Sequence, residues 1–124
     1  MRFTGVPAEP PPPVSGGETL RGWAAGVGRS TGRARALTEP DPGAIAEGEV
    51  LVARATDSSW TPVFLRAGGI VVERGGPLSH AAVVARELGV PAVLNVPAAT
   101  AALDGRLVTV DGDRGEVVIH REPS

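Results

Sequence analysis

His80, one of the two histidines in this 124-residue chain, follows a pair of glycines and opens an apolar stretch. Ser79 is a favourable N-cap residue, and residues 81–88 favour a helix that Gly89 and Pro91 end. A helix start exposes unpaired N–H groups and the positive end of the dipole, which together attract phosphate. The same field favours neutral imidazole, whose lone pair can attack phosphorus. This spacing predicts a phosphoryl-carrying histidine; the alternative is a helix-capping or half-buried structural histidine.

The residues that flank His80 supply groups that could hold phosphoryl oxygens. The two preceding glycines carry no side chain and would let a bulky partner approach the backbone closely. Backbone N–H groups at the start of the helix and the neighbouring hydroxyl are donors for anionic oxygens. The predicted phosphate-stabilising residues are therefore Gly75, Gly76, Ser79, Ala81 and Ala82.

Other polar and aromatic residues are weaker candidates. Glu73 and Arg74 enter the glycine turn and are candidates to orient the ring, with a solvated ion pair as the alternative. We expect Asp57 to cap a turn, with an acid catalyst as the alternative, and Trp60 to lie in the core, with an exposed docking contact as the alternative. His120 is expected to be an exposed terminal residue. No metal site is expected, because two histidines placed so differently fall short of the three or four protein ligands of a zinc site.

The elements that must position His80 alternate between short strands and helices, which predicts a mixed α/β fold. In the helix after His80, Ala81, Val84, Ala85 and Leu88 share one face, which we expect to be buried. Apolar runs between glycine, proline and aspartate breaks predict strands at 20–25, 33–37, 49–53, 70–72, 92–94, 107–110 and 116–119. Helices are predicted at 62–67 and 81–88, with a short helical turn at 100–103.

Composition limits the classes of function. A net charge of -2 argues against a nucleic-acid partner, and no apolar run is long enough to span a membrane, so we expect neither partner. There is no cysteine, and the expected location is cytoplasmic. All 12 basic residues are arginines, so a phosphate loop completed by lysine is absent. The proline-rich residues 1–18 are predicted to be a flexible segment, and 19–121 one folded domain.

The stretch 75–91 resembles the phosphohistidine signature of the phosphoenolpyruvate-utilising enzymes. That family includes pyruvate phosphate dikinase, phosphoenolpyruvate synthase, enzyme I of the sugar phosphotransferase system and rifampicin phosphotransferase. The similarity extends over about residues 26–118. It implies a three-layer β/β/α swivelling phosphohistidine domain, which moves between an ATP-grasp-like nucleotide-binding partner and a partner that binds phosphoenolpyruvate or the acceptor.

One position departs from the signature. Dikinases, synthases and enzyme I usually carry a small hydroxyl residue two places before the histidine, where this chain has Leu78. In the dikinases that hydroxyl is the target of regulatory phosphorylation, so this control is not expected here. The Leu-Ser-His order is more similar to the rifampicin phosphotransferase branch.

Motif and resemblance together predict a phosphocarrier. His80 would accept a phosphoryl group from ATP or phosphoenolpyruvate on a partner protein or domain, and pass it to pyruvate or another small molecule. The chain is too short for both partner domains, so we expect a phosphotransferase component that is not self-sufficient. We expect no directly bound cofactor, and Mg²⁺ with ATP or phosphoenolpyruvate in the partner domains. The alternative is a non-catalytic interaction or regulatory module that retained the fold.

Overall fold

The structure, a computed structural model, describes residues 18–76 and 78–120. The strands within these residues are β1 (Glu18–Arg21), β2 (Trp23–Ala25), β3 (Arg29–Ala36), β4 (Val50–Ala53), β5 (Gly69–Val72), β6 (Ala92–Leu94), β7 (Leu107–Asp111) and β8 (Glu116–Ile119). The helices are α1 (Thr61–Phe64), α2 (His80–Leu88) and α3 (Ala99–Leu103). The proline-rich segment predicted at 1–18 lies outside the described residues except for Glu18, which begins β1.

The strands form a mixed sheet in the order β1-β8-β7-β3-β4-β5-β6-β2. Strand β3 joins its two parts, because residues 29–33 pair antiparallel with β7 while residues 34–36 pair parallel with β4. Strands β4, β5 and β6 are parallel, whereas β7, β8 and β1 are antiparallel. Only Gly22 separates β1 from β2, which stand at opposite ends of the order, so the sheet closes on itself.

The parallel strands are buried on both faces, and alternate residues face two different cores. Leu51, Ile70 and Leu94 pack with α1 and α2 in one core. Val52, Val71 and Val93 pack with the antiparallel strands and α3 in the other. Two sheet layers and a helical layer follow from this alternation, and the predicted three-layer β/β/α fold is confirmed.

Two strands were predicted with the wrong boundaries, because pairing with a distant strand determines where each begins and ends, whatever the local composition favours. The predicted strand 20–25 is broken at Gly22, where the chain changes its partner from β8 to β6. A Cβ at Gly22 would lie 2.2 Å from the Leu94 carbonyl oxygen, so this crossing requires glycine. The predicted strand 33–37 begins earlier, at Arg29, because β7 pairs with residues whose glycines and polar side chains indicate a turn.

Two predictions about the helices also change. The predicted helix 62–67 ends at Phe64, after which Arg66 N and Ala67 N donate to carbonyls three residues back, as in a 3-10 helix. In α2 the buried residues are Ala81, Ala82 and Ala85. Leu88, predicted to be buried, is 38% exposed, because the alanines form an equally regular stripe of small residues that packs on the sheet.

Candidate functional site

The candidate site lies at the carboxyl edge of the parallel strands, where the segments that follow β4 and β5 meet. His80 is the first residue of α2 and is half-buried. Ser79 is the N-cap: its backbone is extended, and its Oγ accepts a hydrogen bond from Ala82 N at 3.4 Å. The predicted placement of His80 at a helix start is therefore confirmed.

Two residues of α1, which sequence reasoning missed, orient the His80 ring. Nε2 of His80 lies 3.4 Å from Oγ1 of Thr61. The ring also stacks on Phe64, with centroids 5.8 Å apart and an interplanar angle of 26°. A hydrogen bond of 3.4 Å is long and therefore weak, so it orients the imidazole without locking it. The only signal in the sequence was the i, i+3 spacing of Thr61 and Phe64, which places them on one face of a helix. That spacing does not indicate a contact with His80, because the contact depends on the packing of α1 against α2.

The segment before α1 fixes Thr61 and adds a carboxylate. The Thr61 hydroxyl donates to the Ser58 carbonyl oxygen at 3.0 Å. Asp57 caps the 3-10 turn Ser58–Trp60 by accepting from the Ser59 amide at 2.9 Å and from the Ser59 hydroxyl, so its predicted capping role is confirmed. The side-chain and backbone hydrogen bonds from Ser59 lower the pKa of Asp57, and His80 adds the smallest contribution in the same direction.

The glycine turn before His80 is filled by the chain's own side chains. Gly75 has φ of +139°, and a Cβ there would lie 3.2 Å from Oγ of Ser79. A Cβ at Gly76 would lie 2.8 Å from Cζ3 of Trp23. The indole of Trp23 therefore occupies the space beside Gly76 in which a partner was expected to approach the backbone.

The start of α2 has some of its amides engaged. Ala82 N is held by the Ser79 side chain and Val83 N donates to Ser79 O at 3.1 Å, as expected of a capped helix. The side chains of Ala81 and Ala82 are buried, so these residues can offer a ligand only backbone groups. Phosphate stabilisation by Gly75, Gly76, Ser79, Ala81 and Ala82 stays a prediction.

Glu73 and Arg74 lie in the same turn, but the described contacts of Glu73 point elsewhere. Oε2 of Glu73 accepts from Thr100 N at 2.8 Å and from Thr100 Oγ1 at 2.6 Å, which ties the turn to α3. These hydrogen bonds lower the pKa of Glu73, with smaller contributions from the charges of Arg54 and Arg74. Arg74 is exposed, and its amide donates to Arg54 O at 2.9 Å. Within the described residues no contact links either side chain to His80, and a role in orienting its ring stays a prediction.

Three exposed apolar side chains belong to the segments that carry His80 and Thr61. Leu78, two residues before His80, is 90% exposed, and Val83, one turn along the same face of α2, is 43% exposed. Leu65, one turn beyond Thr61, is 63% exposed. We call these three side chains the apolar rim; they offer apolar surface for contact with another molecule.

The remaining candidates lie apart from this site. Trp60 is buried as predicted. His120 was predicted to be exposed, but it is half-buried, and its Nε2 lies 2.7 Å from Oγ1 of Thr109 on β7. The prediction is wrong because β7 brings that threonine beside the chain end. Among the described residues, no cluster of three or more His, Cys, Asp or Glu side chains could hold a metal ion. In the same part of the chain, no helix has the length and apolarity needed to span a bilayer.

Comparisons with known proteins assign the family. The model of the PEP-utilising enzyme mobile domain matches residues 45–115, more than half of the chain, and the chain belongs to this family. Prodigiosin synthesizing transferase PigC of Serratia marcescens is 45% identical over 105 residues, which cover 82% of this chain and 12% of that protein. Phosphoenolpyruvate synthase of Aeropyrum pernix is 46% identical over 118 residues, which cover 89% of this chain and 14% of that protein. The chain thus spans a small part of both relatives.

A solved structure supports the same assignment. The NMR solution structure of Enzyme I (nEIt) is similar with a TM-score of 0.57 and 32% identity, covering 66% of this chain and 34% of that one. The family resemblance inferred from the glycine–histidine motif is confirmed.

Proposed function

We propose that His80 accepts a phosphoryl group from ATP or phosphoenolpyruvate held by a partner protein or domain, and then passes it to a small-molecule acceptor. The observation that carries this proposal is the position of the ring. His80 is the first residue of α2, where the positive end of the helix dipole favours an arriving phosphate. The ring is held by one long hydrogen bond to Thr61 and by stacking on Phe64, which leaves it oriented but able to turn.

The first step is an in-line displacement at phosphorus. The unprotonated nitrogen of a neutral His80 ring attacks, an N–P bond forms, and the P–O bond of the donor breaks. The leaving group departs with the bonding electrons, as a nucleoside phosphate from ATP or as the enolate of pyruvate from phosphoenolpyruvate. The Ser79 hydroxyl and the backbone amides of the turn and helix start stabilise the phosphoryl oxygens.

The second step reverses this chemistry. An acceptor oxygen attacks phosphorus, the N–P bond breaks, and the electron pair returns to His80 as the acceptor releases its proton to solvent. Mg²⁺ accompanies ATP or phosphoenolpyruvate in the partner domains and not this chain. Pyruvate is the acceptor suggested by similarity to phosphoenolpyruvate synthase, whereas similarity to a prodigiosin-synthesising transferase suggests another small molecule.

The apolar rim formed by Leu65, Leu78 and Val83 supports the need for partners. Phosphohistidine is lost to water, and an apolar contact around the ring would exclude water during transfer. The rim suits such a contact because these side chains face solvent on the segments that carry and position His80. The short coverage of the relatives fits the same idea, since their remaining length has room for the nucleotide and acceptor sites.

Transfer in trans provides the test. The protein is mixed with labelled ATP, Mg²⁺ and a phosphoenolpyruvate synthase whose own phosphohistidine has been replaced by alanine. We expect acid-labile, base-stable label on this chain, located at His80 by mass spectrometry. The second histidine offers a matched control: His120→Asn keeps the label, and His80→Asn loses all of it.

Label that persists in His80→Asn contradicts the assignment of the nucleophile. Absence of label from the folded wild-type chain, with both the ATP-bound and the phosphoenolpyruvate-bound synthase, contradicts the phosphocarrier and favours the interaction module. Circular dichroism of each variant separates loss of chemistry from loss of fold.

A further inference from the structure

A cavity of about 240 Å³ opens at the carboxyl edge of β3 and β4, and His80 is not among the residues that line it. Its apolar wall includes Leu37, Ala55 and Trp60, and its polar groups come from Thr38, Arg54 and Thr100. Ligands of α/β proteins commonly bind at this edge, because the loops after parallel strands converge there. The cavity thus combines a mostly apolar wall with a few polar groups.

Arg54 provides the charge at this cavity. Its Nε lies 4.0 Å from Oε1 of Glu73, and its side chain is 78% exposed. The other carboxylate oxygen of Glu73 is taken by both donors of Thr100, which holds the carboxylate in place beside the guanidinium. Within the described residues, no hydrogen bond engages the two terminal nitrogens of Arg54. Two parallel N–H donors of this kind match the two oxygens of a carboxylate.

The size and charge of the cavity limit its ligand. Its volume of about 240 Å³ lies below that of sites for drug-sized ligands, so it suits a small ligand with a compact body of four or five carbons. Glu73 already offsets part of the charge of Arg54, so a monoanion fits better than a phosphate dianion. The hydroxyl of Thr38 can donate to the same anion, and the apolar wall excludes a strongly polar body.

We propose that this cavity is a binding site for a small carboxylate with a compact apolar body. The carboxylate pairs with the terminal nitrogens of Arg54, and the apolar body packs against Leu37, Ala55 and Trp60. Trp60 directly precedes Thr61, the residue whose hydroxyl contacts His80, so the ligand lies against the segment that positions the ring. The site is separate from the phosphoryl chemistry and does not rest on it.

Titration of the intact chain with isovalerate tests the site. The chain has only two tryptophans, so in the Trp23→Phe background the emission comes from Trp60 in the cavity wall. We expect a saturable change in emission with isovalerate. Isovaleramide, which has the same body without the charge, should bind at least about tenfold more weakly because it cannot pair with the guanidinium.

Variants on the Trp23→Phe background locate the contact. Arg54→Gln should weaken isovalerate binding at least about tenfold. Arg54→Lys keeps the charge without the paired donors, so its affinity for isovalerate should lie between those of the parent protein and Arg54→Gln. Arg74→Gln removes a neighbouring exposed arginine that does not line the cavity, and should leave binding within about twofold. His80→Ala should bind isovalerate normally, so failure of the phosphocarrier proposal would not be confused with failure of this one.

Three results overturn the proposal: no saturable response to isovalerate, equal binding of isovaleramide, or equal weakening by Arg54→Gln and Arg74→Gln. The last result would mean that general positive charge, and not the cavity, attracts the anion. Because Arg54 is largely exposed, its variants should stay folded, and circular dichroism checks this.

Discussion

The two histidines of this chain share one contact and differ in everything around it. Each ring directs Nε2 at a threonine hydroxyl, His80 at Thr61 with 3.4 Å and His120 at Thr109 with 2.7 Å. Thr109 in turn bonds Thr31 across the strands at 2.6 Å, so the ring of His120 ends a tight polar chain on the antiparallel sheet. The contact with threonine therefore does not distinguish the proposed carrier from a structural histidine.

The backbone makes the distinction. His120 follows β8, and its own amide donates to Leu107 O at 2.9 Å, as a sheet residue does. His80 begins a helix, where amides of the first turn have no carbonyl of the same helix to bond. We infer that a loosely held ring beside unpaired helix amides is suited to an arriving phosphate, whereas a tightly held ring on a sheet is suited to stability.

The largest expected difference is in chemical phosphorylation without any partner. Treatment of the chain with phosphoramidate should place acid-labile phosphate on His80 in preference to His120, because only His80 has helix amides beside it. His80→Gln should remove nearly all of the label and His120→Gln very little, as measured by intact-protein mass spectrometry at alkaline pH. Equal labelling of the two histidines would break the comparison.

The glycine turn that leads to His80 should be the next most sensitive feature. Gly75→Ala forces a side chain into a positive-φ conformation against Ser79, and we expect it to lower the free energy of unfolding by about 1–3 kcal/mol. Gly76→Ala is the matched control, since the group it meets is the half-exposed ring of Trp23, which can turn aside. Urea unfolding of both variants measures the difference, and a larger cost at Gly76 would contradict this account of the turn.

Glu73 ties the His80 turn to α3 in a pH-dependent way. Its pKa is lowered in the folded state, so its contribution to stability is present above the unfolded value, about 4.3, and is lost as pH falls through the folded value. Glu73→Gln should therefore lower the free energy of unfolding by about 1 kcal/mol at pH 7, and by less as the pH is lowered below about 4.

Urea unfolding at a series of pH values checks this prediction. Glu87→Gln is the control, because Glu87 is an exposed residue of α2. The free energies of unfolding of wild type and Glu73→Gln should differ less at low pH. A difference that stays constant across the series would mean that the charge of the carboxylate does not strengthen its hydrogen bonds to Thr100.

The smallest expected effects separate the two threonines. Thr109→Val removes the short hydrogen bonds to Thr31 and His120 and should lower the free energy of unfolding by about 1 kcal/mol. Thr61→Val removes the hydrogen bond to Ser58 O as well as the long contact with His80, so we expect a loss of stability of similar size and, in addition, slower transfer of phosphate to His80 from the donor synthase. Thermal unfolding and the transfer rate measure the two effects; Thr109→Val should leave the transfer rate unchanged, and equal slowing of transfer by both variants would show that the threonines have equivalent roles.

Much of the candidate site could be predicted from sequence because its signals are local. The start of α2 follows from Ser79 as cap, and its end from Gly89, whose positive φ of 71° suits glycine. Asp57 and its turn follow from the same local chemistry. Strand boundaries were less accurate where the partner strand mattered, as in β3, whose first half is strand only because β7 pairs with it.

The contacts that orient the site could not be predicted. Thr61 lies 19 residues from His80 and Thr100 lies 27 from Glu73, and no local preference selects one distant threonine among several. The burial of Ala82 in place of Leu88 depends on how α2 settles on the sheet. The environment of His120 was missed for the same reason, since its partner belongs to another strand.

The amino-acid sequence alone determined which histidine begins a helix and which family the chain belongs to, because capping, helix termination and the glycine–histidine motif depend on neighbours within a few residues. Only the tertiary structure decided that Thr61 and Phe64 hold that ring, that Trp23 covers Gly76, and that Glu73 turns to α3. These contacts join distant segments, and their partners are selected by the packing of the whole core.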